Sequence, residues 1–467
     1  MSTDPLTEST FAERSRAQLA KPFLRQAVPR ATDKAVNDLR ARFVYHDYDG
    51  LREMGREIRA RTISNLDIYL DQFADALAAN GVHVHRAADA AEAREHIQRI
   101  CREVGATRVV KVKSMATEEI ELNPALAADG LQITETDLGE YVVQLDGDKP
   151  SHIIAPIIHK TRGEIRETLS RVAGRELPDD ASELTGFARE TLRDAFMDAD
   201  VGISGANFGV ADSGTVVLVT NEGNGRMCTA MPRVHISLMG IERVIPRLDD
   251  LAVMLPLITG AGTGQLITSY VTMLSGPRQE GEPDGPESMH VVLLDNGRRA
   301  LLGTAFQDVL HCIRCGACQN VCPVYRQVGG HAYGWVYGGP IGAVLTPLFR
   351  GQAAGGELPQ ASTLCGACDD ICPVKIPLHD LLLRLRQQRA DVGAAPWRER
   401  MAADLWAWAW SSPVRYRVVT RVSGTVVRVA SGLGLVGRLG PVGVWARGRA
   451  LPMLARRPFH TRRDHDA

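Results

Sequence analysis

The sequence predicts an α/β domain with a mainly parallel sheet, followed by a smaller helical domain that is rich in cysteine. From about residue 82 to residue 300, short runs rich in β-branched residues alternate with helical stretches, the pattern of an α/β domain. Over residues 301–395 the strand patterns fade and seven of the nine cysteines appear. At 467 residues the chain is also too long for one ordinary core, so two or more domains are expected.

The same patterns divide the chain into four segments. These are a charged helical segment (1–75), the α/β domain (76–300), the cysteine-rich helical domain (301–395) and a basic tail (396–467). At the end of the first segment, the apolar spacing predicts a helix that ends at Asn80-Gly81, with apolar positions at Leu66, Ile68, Leu70, Phe73 and Leu77. A second helix is predicted over AAEAREHIQRICREVG. The predicted strands are VHVHRA (82–87), TRVVKVKS (107–114), GLQITETD (130–137), SHIIAP (151–156), GTVVLVTN (214–221), HISLMGIERVI (235–245) and MHVVLLD (289–295).

The charge of the chain is nearly balanced overall but uneven along its length. The formal net charge is −1, which argues against general nucleic-acid binding. From Trp397 onward there are 13 Arg, no Lys and four acidic residues, so the tail is strongly basic. The N-terminus lacks the apolar core of a secretory signal, and no uncharged apolar run reaches about 18 residues. We therefore expect a cytoplasmic protein whose cysteines are reduced thiols or metal ligands.

Seven cysteines form two related runs. The first run reads C-x2-C-x2-C-x3-C and the second reads C-x2-C-x3-C, and each ends in Cys-Pro. This is the pattern with which ferredoxins bind pairs of [4Fe–4S] clusters. Zinc is a poor alternative, because zinc sites use paired CxxC motifs and four ligands in total. The sequence therefore predicts an α-helical dicluster ferredoxin domain with two [4Fe–4S] clusters.

In such runs the cysteine before the proline binds the other cluster. This rule gives cluster 1 the ligands Cys312, Cys315, Cys318 and Cys372, and cluster 2 the ligands Cys322, Cys365 and Cys368. The position of the missing eighth ligand falls on Ser362, three residues before Cys365. Two adjacent clusters suit the transfer of single electrons between a two-electron donor and an acceptor. Gly316 and Gly366 allow the backbone to approach sulfur, where N–H donors tune the potential.

Two further cysteines and two histidines are interpreted as packed side chains without a role in cluster binding. Cys101 and Cys228 have no nearby ligand partner and are predicted to be packed thiols. His311 and His379 could donate to cluster ligands, but ordinary packed histidines are the preferred interpretation.

Two stretches of the α/β domain have two open interpretations each. Lys111 and Lys113 share one face of a strand, where they either meet an anion at its carboxyl end or are solvated. Thr117 is the expected cap of the helix that follows. The glycines between 202 and 225 form either tight turns or a ligand loop. The loop would use Asn207, Asp212, Ser213, Asn224 and Arg226. No flavin or nicotinamide fingerprint is visible, so catalytic residues are not predicted.

Taken together, several motifs resemble the lactate utilisation protein B family. They are KSMATEEIELN (113–123), ETDLGEY (135–141), PSHIIAPIIHKTR (150–162), SGANFGVADSGTVVLVTNEGNGR (204–226), YGWVYGGPIGAVLTPL (333–348), CPVKIPLH (372–379) and both cysteine runs. The resemblance covers about residues 40–395.

The resemblance implies a sugar-isomerase/coenzyme A transferase-like α/β domain and a helical domain with two [4Fe–4S] clusters. It implies a role in oxidising L-lactate to pyruvate together with two sister subunits. The seven cysteines carry over as ligands, whereas no lactate site does. The Arg- and Trp-rich tail differs from the short C-terminal extension that we expect of the family.

The leading interpretation is an electron-transfer subunit of an L-lactate dehydrogenase/oxidase complex, with its electron acceptor unknown. One alternative is the cluster subunit of another 2-hydroxy acid oxidase, such as one for glycolate. The other is a non-catalytic iron–sulfur sensor, although no helix-turn-helix pattern is evident. The tail is expected either to lie on an anionic surface, at the inner face of the membrane or on a partner, or to be a packed arm.

Overall fold

The computed structural model describes residues 4–44, 47–395 and 397–433. The chain divides into two compact units, residues 1–388 and 389–467. The first unit contains the α/β sheet and all nine cysteines, and the second contains the described part of the tail.

Among the described residues, five helices precede the first strand. They are α1 (Pro5–Glu8), α2 (Phe11–Leu19), α3 (Leu24–Arg42), α4 (Tyr48–Ser64) and α5 (Leu66–Ala79). The predicted helix before Gly81 is α5, and Asn80 forms its C-cap. Leu66, Leu70, Phe73 and Leu77 are buried on one face of α5, and Ile68 lies off that face and is exposed.

In the part of the chain that the structure describes, ten strands form two sheets. They are β1 (His83–Ala87), β2 (Arg108–Lys111), β3 (Gln132–Glu135), β4 (Val201–Ser204), β5 (Phe208–Val210), β6 (Thr215–Thr220), β7 (Val234–Gly240), β8 (Val244–Ile245), β9 (Tyr270–Leu274) and β10 (Ser288–Leu294). The larger sheet has the order β1-β10-β7-β4-β2-β3 and is parallel throughout. The smaller sheet, β8-β5-β6-β9, is mixed. The predicted α/β class with a mainly parallel sheet is confirmed.

Eight helices lie between the strands. They are α6 (Ala90–Glu103), α7 (Met115–Glu119), α8 (Leu122–Ala128), α9 (Leu138–Leu145), α10 (Arg162–Ala173), α11 (Ala181–Met197), α12 (Asn224–Ala230) and α13 (Leu251–Thr263). The sequence of α6 explains why this segment is helical. Asp89 caps its first turn, and Ala93, Ile97 and Ile100 recur at helical spacing and are buried.

Two expectations about local structure were wrong, and three strands were missed. The run SHIIAP forms turns, because the His152 ring nitrogen Nδ1 accepts hydrogen bonds from the backbone N–H groups of Ile154 and Ala155. The cap of α7 is Ser114, whose hydroxyl accepts from the N–H of Thr117, and Thr117 lies inside the helix. The strands β4, β5 and β9 were not predicted.

The cysteine-rich region is helical. Its helices are α14 (Ala317–Val321), α15 (Tyr325–Val328), α16 (Gly339–Arg350), α17 (Gln352–Gly355), α18 (Ala367–Ile371) and α19 (Leu378–Asp391). One apolar core joins this region to the smaller sheet and to the N-terminal helices, and includes Phe73, Phe208, Leu257, Val344 and Leu382. This continuous core explains why residues 1–388 form one unit.

The described tail contains α20 (Trp397–Trp410) and α21 (Pro413–Gly432). Apolar side chains of α21 are exposed along one stripe, namely Val414, Val418, Val422, Val426 and Val429. Among the described residues, no helix is long and apolar enough to cross a bilayer.

Candidate iron–sulfur centre

The seven cysteines of the two runs lie in the first unit and differ in exposure. Five of them are buried, Cys312 is partly buried and Cys365 is exposed. Because the least covered thiol belongs to the second run, one end of the cysteine cluster reaches the surface of the unit.

The buried thiols fall into two neighbouring groups. Burial raises the pKa of the Cys315 thiol, and the nearby Cys372 and Cys312 raise it further. Burial, followed by Cys312 and Cys315, raises the pKa of Cys318 in the same way. Cys312 and Cys315 therefore lie within electrostatic reach of both Cys318 and Cys372, and the four thiols form one group.

The second group is built around Cys322. Burial raises the pKa of Cys322, although the backbone N–H groups of Tyr325 and Val324 lower it, and the nearby Cys365 raises it. Burial and Asp369 raise the pKa of Cys368, and Cys322 adds to the effect. Cys368 also contributes to the raised pKa of Cys318, so the two groups are adjacent.

The two runs repeat one backbone conformation. Arg314 has φ 59° and Leu364 has φ 54°, each at the residue before the second ligand position of its run. Gly316 and Gly366 follow with φ 76° and 79°, which glycine adopts without strain, and a short helix begins directly after each. The loop geometry is therefore duplicated although the second run lacks its first cysteine.

Ser362 occupies the position in the second run that Cys312 occupies in the first. The backbone N–H of Arg314 donates to the sulfur of Cys312 at 3.4 Å. In the same way, the N–H of Leu364 donates to the hydroxyl of Ser362 at 3.1 Å. The position inferred from spacing alone thus has the same local hydrogen bond as a cysteine ligand.

Further backbone N–H groups point at sulfur. Tyr325 donates to Cys322 at 3.5 Å and Ile376 donates to Cys372 at 3.4 Å, in each case just after the proline that follows the cysteine. Such donors stabilise negative charge on sulfur and tune the potential of a bound cluster.

These residues fit [4Fe–4S] clusters. A buried group of thiols with raised pKa values is unfavourable as free thiolates, and bound iron supplies the compensating positive charge. The two adjacent groups, the repeated loops and the N–H donors to sulfur are the features that such clusters need.

Buried arginines surround the first thiol group. Arg59 is fully buried, and its guanidinium donates to the carbonyl oxygens of His311, Leu310, Val244 and Glu242. It therefore holds the segment before Cys312 against the end of the parallel sheet.

Three more arginines contact the ligand loops. Arg52 donates to the carbonyl of Cys372 at 3.0 Å, and Arg243 donates to the carbonyl of Cys312 at 3.3 Å. Arg314 lies between two predicted ligands and stacks on the ring of Tyr337. None of these arginines was identified from the sequence; the position of Arg314 between Cys312 and Cys315 was the one local signal, because the others are distant in the chain.

A buried network joins the sheet to the cysteine region. Arg298 binds Glu119 through two hydrogen bonds of 2.8 and 2.9 Å, and it contacts Glu242 at 2.5 Å. The hydroxyl of Tyr337 donates to Glu119, and Arg314 pairs with Glu242 at 3.3 Å. Burial alone would raise the pKa of Glu119, but Arg298 holds it below its usual value.

The structure excludes both interpretations of Lys111, and it excludes a solvated side chain for Lys113. Lys111 is fully buried and pairs with Glu118 and Glu135 at 3.1 and 2.8 Å, so it is neither solvated nor free for an anion. Lys113 lies 3.9 Å from Glu140, and its Nζ has no hydrogen-bond partner among the described residues.

The five candidate residues of the glycine-rich stretch fall into two sets: two of them line a cavity, as a ligand loop would, and three do not. Asn207 and Asn224 line a cavity at the end of the parallel sheet. Asp212 accepts from the N–H of Leu248, Ser213 bonds to Thr215, and Arg226 lies over the Tyr270 ring. None of these last three lines the cavity.

Three of the four remaining sequence candidates are packed as expected, and the fourth, His379, is partly exposed. Cys101 and Cys228 are fully buried. His311 is buried, and burial lowers its pKa to about 4. His379 bonds to Asp369, the neighbour of Cys368, and not to a cysteine sulfur.

Three family models match consecutive parts of the chain. A LUD domain matches residues 70–294, a 4Fe-4S dicluster domain matches 308–376, and the C-terminal part of lactate utilisation protein B matches 386–465. A Geobacillus kaustophilus protein named lactate utilization protein B is 45% identical over 453 residues, covering 96% of this chain and 95% of that one. The chain belongs to the lactate utilisation protein B family.

Other members of the lactate utilisation protein B family match equally well. The Shouchella clausii protein is 45% identical over 457 residues, and the Bacillus anthracis protein is 44% identical over 457 residues; each match covers 97% of this chain and 96% of the relative. A crystal structure of a DUF162 family protein from Deinococcus radiodurans covers 49% of this chain and 98% of that chain, at 13% identity and a TM-score of 0.28.

The family match corrects one expectation about the tail. Because a lactate utilisation protein B model covers residues 386–465, the Arg- and Trp-rich tail belongs to the family pattern. It is not a departure from that pattern.

Proposed function

We propose that this chain is the iron–sulfur electron-transfer subunit of a complex that oxidises L-lactate to pyruvate with two sister subunits. The observation that carries the proposal is the pair of adjacent thiol groups with duplicated loops, in a chain of the lactate utilisation protein B family. Two bound [4Fe–4S] clusters would supply one-electron chemistry at this place.

The ligand assignment is part of the proposal. Cluster 1 takes Cys312, Cys315, Cys318 and Cys372, and cluster 2 takes Cys322, Cys365 and Cys368, with Ser362 beside its remaining iron. The grouping of the thiols by their mutual effects supports this assignment. The hydrogen bond from Leu364 to Ser362 supports the position of the serine.

The residues around the two thiol groups suit electron transfer between the cavity and the surface. The first thiol group is buried and lies beside Arg243 and Arg314, which also line the cavity at the end of the sheet. The second group includes the exposed Cys365. Clusters held on either side of Cys318 and Cys368, where the two groups adjoin, would supply one-electron transfer between the cavity side and the surface.

Lactate oxidation is expected to require the sister subunits, since the chain shows no fingerprint of a two-electron cofactor. The test is lactate-dependent dye reduction under anaerobic conditions, with the cluster-loaded chain alone and with both sister subunits. We expect turnover only in the mixture, and faster turnover with L-lactate than with glycolate. Robust turnover by this chain alone would contradict the partner requirement, and a preference for glycolate would favour the alternative oxidase.

The α/β part is proposed to be of the sugar-isomerase/coenzyme A transferase type. The support is the motif resemblance together with the six-stranded parallel sheet. A superposition in which the six strands fail to match solved members of that class in order would reject this assignment.

The tail is proposed to contact the anionic inner face of the membrane. Its support is the exposed valine stripe of α21, next to exposed Arg417 and Arg421, with exposed Trp406 and Trp408 upstream. Truncation after Pro396 should release the protein from sedimenting vesicles at low salt. An intact chain that never sediments with anionic vesicles would reject the membrane and leave a partner surface.

A further inference from the structure

A cavity of about 420 Å³ lies at the carboxyl end of the parallel sheet. Its lining includes Lys113 and Ser114, which follow β2, and Gly205 and Asn207, which follow β4. Residues of the cysteine region, among them Arg314, complete its wall. The volume is within the range of small-molecule sites.

The cavity lies where the direction of the strand connections changes. From β2 the chain continues to β3 at one side, and from β4 it continues through β7 toward β10 at the other side. In parallel sheets such a change between neighbouring strands opens a crevice at their carboxyl ends, which is the common place for a ligand. Lys113 and Asn207 therefore lie where topology predicts a site.

Two cationic side chains in the lining lack a partner for a buried nitrogen. Among the described residues, neither Lys113 Nζ nor one terminal nitrogen of Arg314 has a hydrogen-bond partner. The side chain of Arg314 is 8% exposed and that of Lys113 is 14% exposed. A buried cationic nitrogen without a hydrogen-bond partner is costly, so an anion in the cavity would satisfy a need that the chain leaves open.

Arg314 and Lys113 have different charged neighbours. The guanidinium groups of Arg314 and Arg243 both interact electrostatically with Cys312, so part of their charge would offset the negative charge of a bound cluster. Lys113 has carboxylates and no cysteine among its closest charged neighbours, the nearest being Glu140 at 3.9 Å. Its open hydrogen-bonding capacity is therefore not explained by the clusters.

The lining also contains acids, which limits the charge of a ligand. Lys113, Arg243, Arg298 and Arg314 face this cavity together with Asp137, Glu222 and Glu242. Because Arg298 and Arg314 already pair with Glu119 and Glu242, the lining has little positive charge to spare and fits a monoanion with a polar substituent better than a polyanion such as phosphate.

One of these acids, Glu222, has a pKa near neutral pH. Burial and the neighbouring Asp137 raise the pKa of Glu222 to about 7. A carboxyl group in this range can accept or return the proton of a ligand hydroxyl, which is a common property of functional sites.

We propose that this cavity binds a small 2-hydroxy or 2-oxo monocarboxylate, whose carboxylate is held by Lys113 and Arg314. The choice of acid rests on the proposed function, whereas the cavity and its open cationic nitrogens do not. The site places such a ligand beside the loop of Cys312, where electrons would enter the first cluster.

The test is calorimetric titration of the anaerobic, cluster-loaded chain with L-lactate, pyruvate, uncharged lactamide and inorganic phosphate. We expect lactate and pyruvate to bind, and lactamide and phosphate to bind at least tenfold more weakly. In Lys113→Met, affinity for lactate should fall at least tenfold, about 1.4 kcal/mol. Lys113→Arg should restore part of it, and the exposed control Lys149→Met should bind as the unaltered chain does.

Three outcomes would overturn the inference. These are absence of lactate and pyruvate binding, equal binding of lactamide, and unchanged affinity in a Lys113→Met protein that retains its clusters and melting temperature. If lactate binding is absent but the three subunits together still oxidise lactate, the cavity assignment fails and the proposed function stands. If binding is present but no electrons reach the clusters, the proposed function fails and the binding site stands.

Discussion

Replacement of Cys318 with alanine is expected to remove one complete cluster and to leave the other. Cys318 is buried in the first thiol group, and its loss leaves one iron of cluster 1 without its ligand, whereas the place without a cysteine in the second group has Ser362. The iron content should fall from about eight to about four atoms per chain. Lactate-dependent electron transfer in the assembled complex should be lost, because the buried entry point of the path is gone.

The chain provides a matched control for this change. Cys228 is also fully buried, but it bonds to Thr136 and belongs to neither thiol group. Cys228→Ala should keep about eight irons per chain, and Cys365→Ala should lose the other cluster. Equal iron contents in Cys318→Ala and Cys228→Ala would contradict the ligand assignment.

Exposure to air is expected to damage the two clusters unequally. The second group has three cysteines and Ser362, and a serine oxygen is a poorer ligand for this iron than a thiolate. The exposed Cys365 also shows that this end of the site is open to oxygen. The iron beside Ser362 should leave first, so that electron paramagnetic resonance detects a three-iron cluster early in the titration.

Ser362→Cys should suppress this three-iron signal and slow the loss of iron. The repeated loop geometry is the reason, because Leu364 donates to Ser362 as Arg314 donates to Cys312. Thr363→Cys adds a thiol one residue away and should not protect the cluster. Simultaneous loss of iron from both clusters without a three-iron signal would show that the asymmetry is absent.

The cysteine pattern could be predicted from sequence because its geometry is local. Two-residue gaps and Cys-Pro endings determine a loop around a cluster whatever surrounds it. The same reasoning found Ser362, since a duplicated loop places equivalent residues at equivalent distances. The ligand set itself stays a prediction until iron is measured.

The surroundings of the cysteines could not be predicted in the same way. Arg59 reaches the first run from α4, and Arg243 reaches it from the short 3-10 turn that follows β7, so both are far away in the chain. Their roles depend on how the sheet packs against the cysteine region, and no local spacing records this. For Lys113, an anion contact and a solvated side chain were equally compatible with the sequence. The burial of the side chain in the structure excludes the second.

Errors in secondary structure have equally specific causes. The apolar run SHIIAP was assigned to a strand, but the His152 side chain competes for the backbone N–H groups and turns the chain. Ser114 and Thr117 are both residues that cap helices, and sequence could not tell which of them precedes the first turn. The strand β5 is only three residues long, which is too short for a periodic pattern.

The most direct test of the central claim is electron paramagnetic resonance of this chain after anaerobic addition of L-lactate, with and without its two sister subunits. The claim is that electrons from lactate pass through the clusters of this chain. With the sister subunits present, signals of reduced [4Fe–4S] clusters should develop, and in Cys318→Ala the signal of cluster 1 should be missing. Oxidation of lactate by the complex while the clusters of this chain stay oxidised would contradict the account.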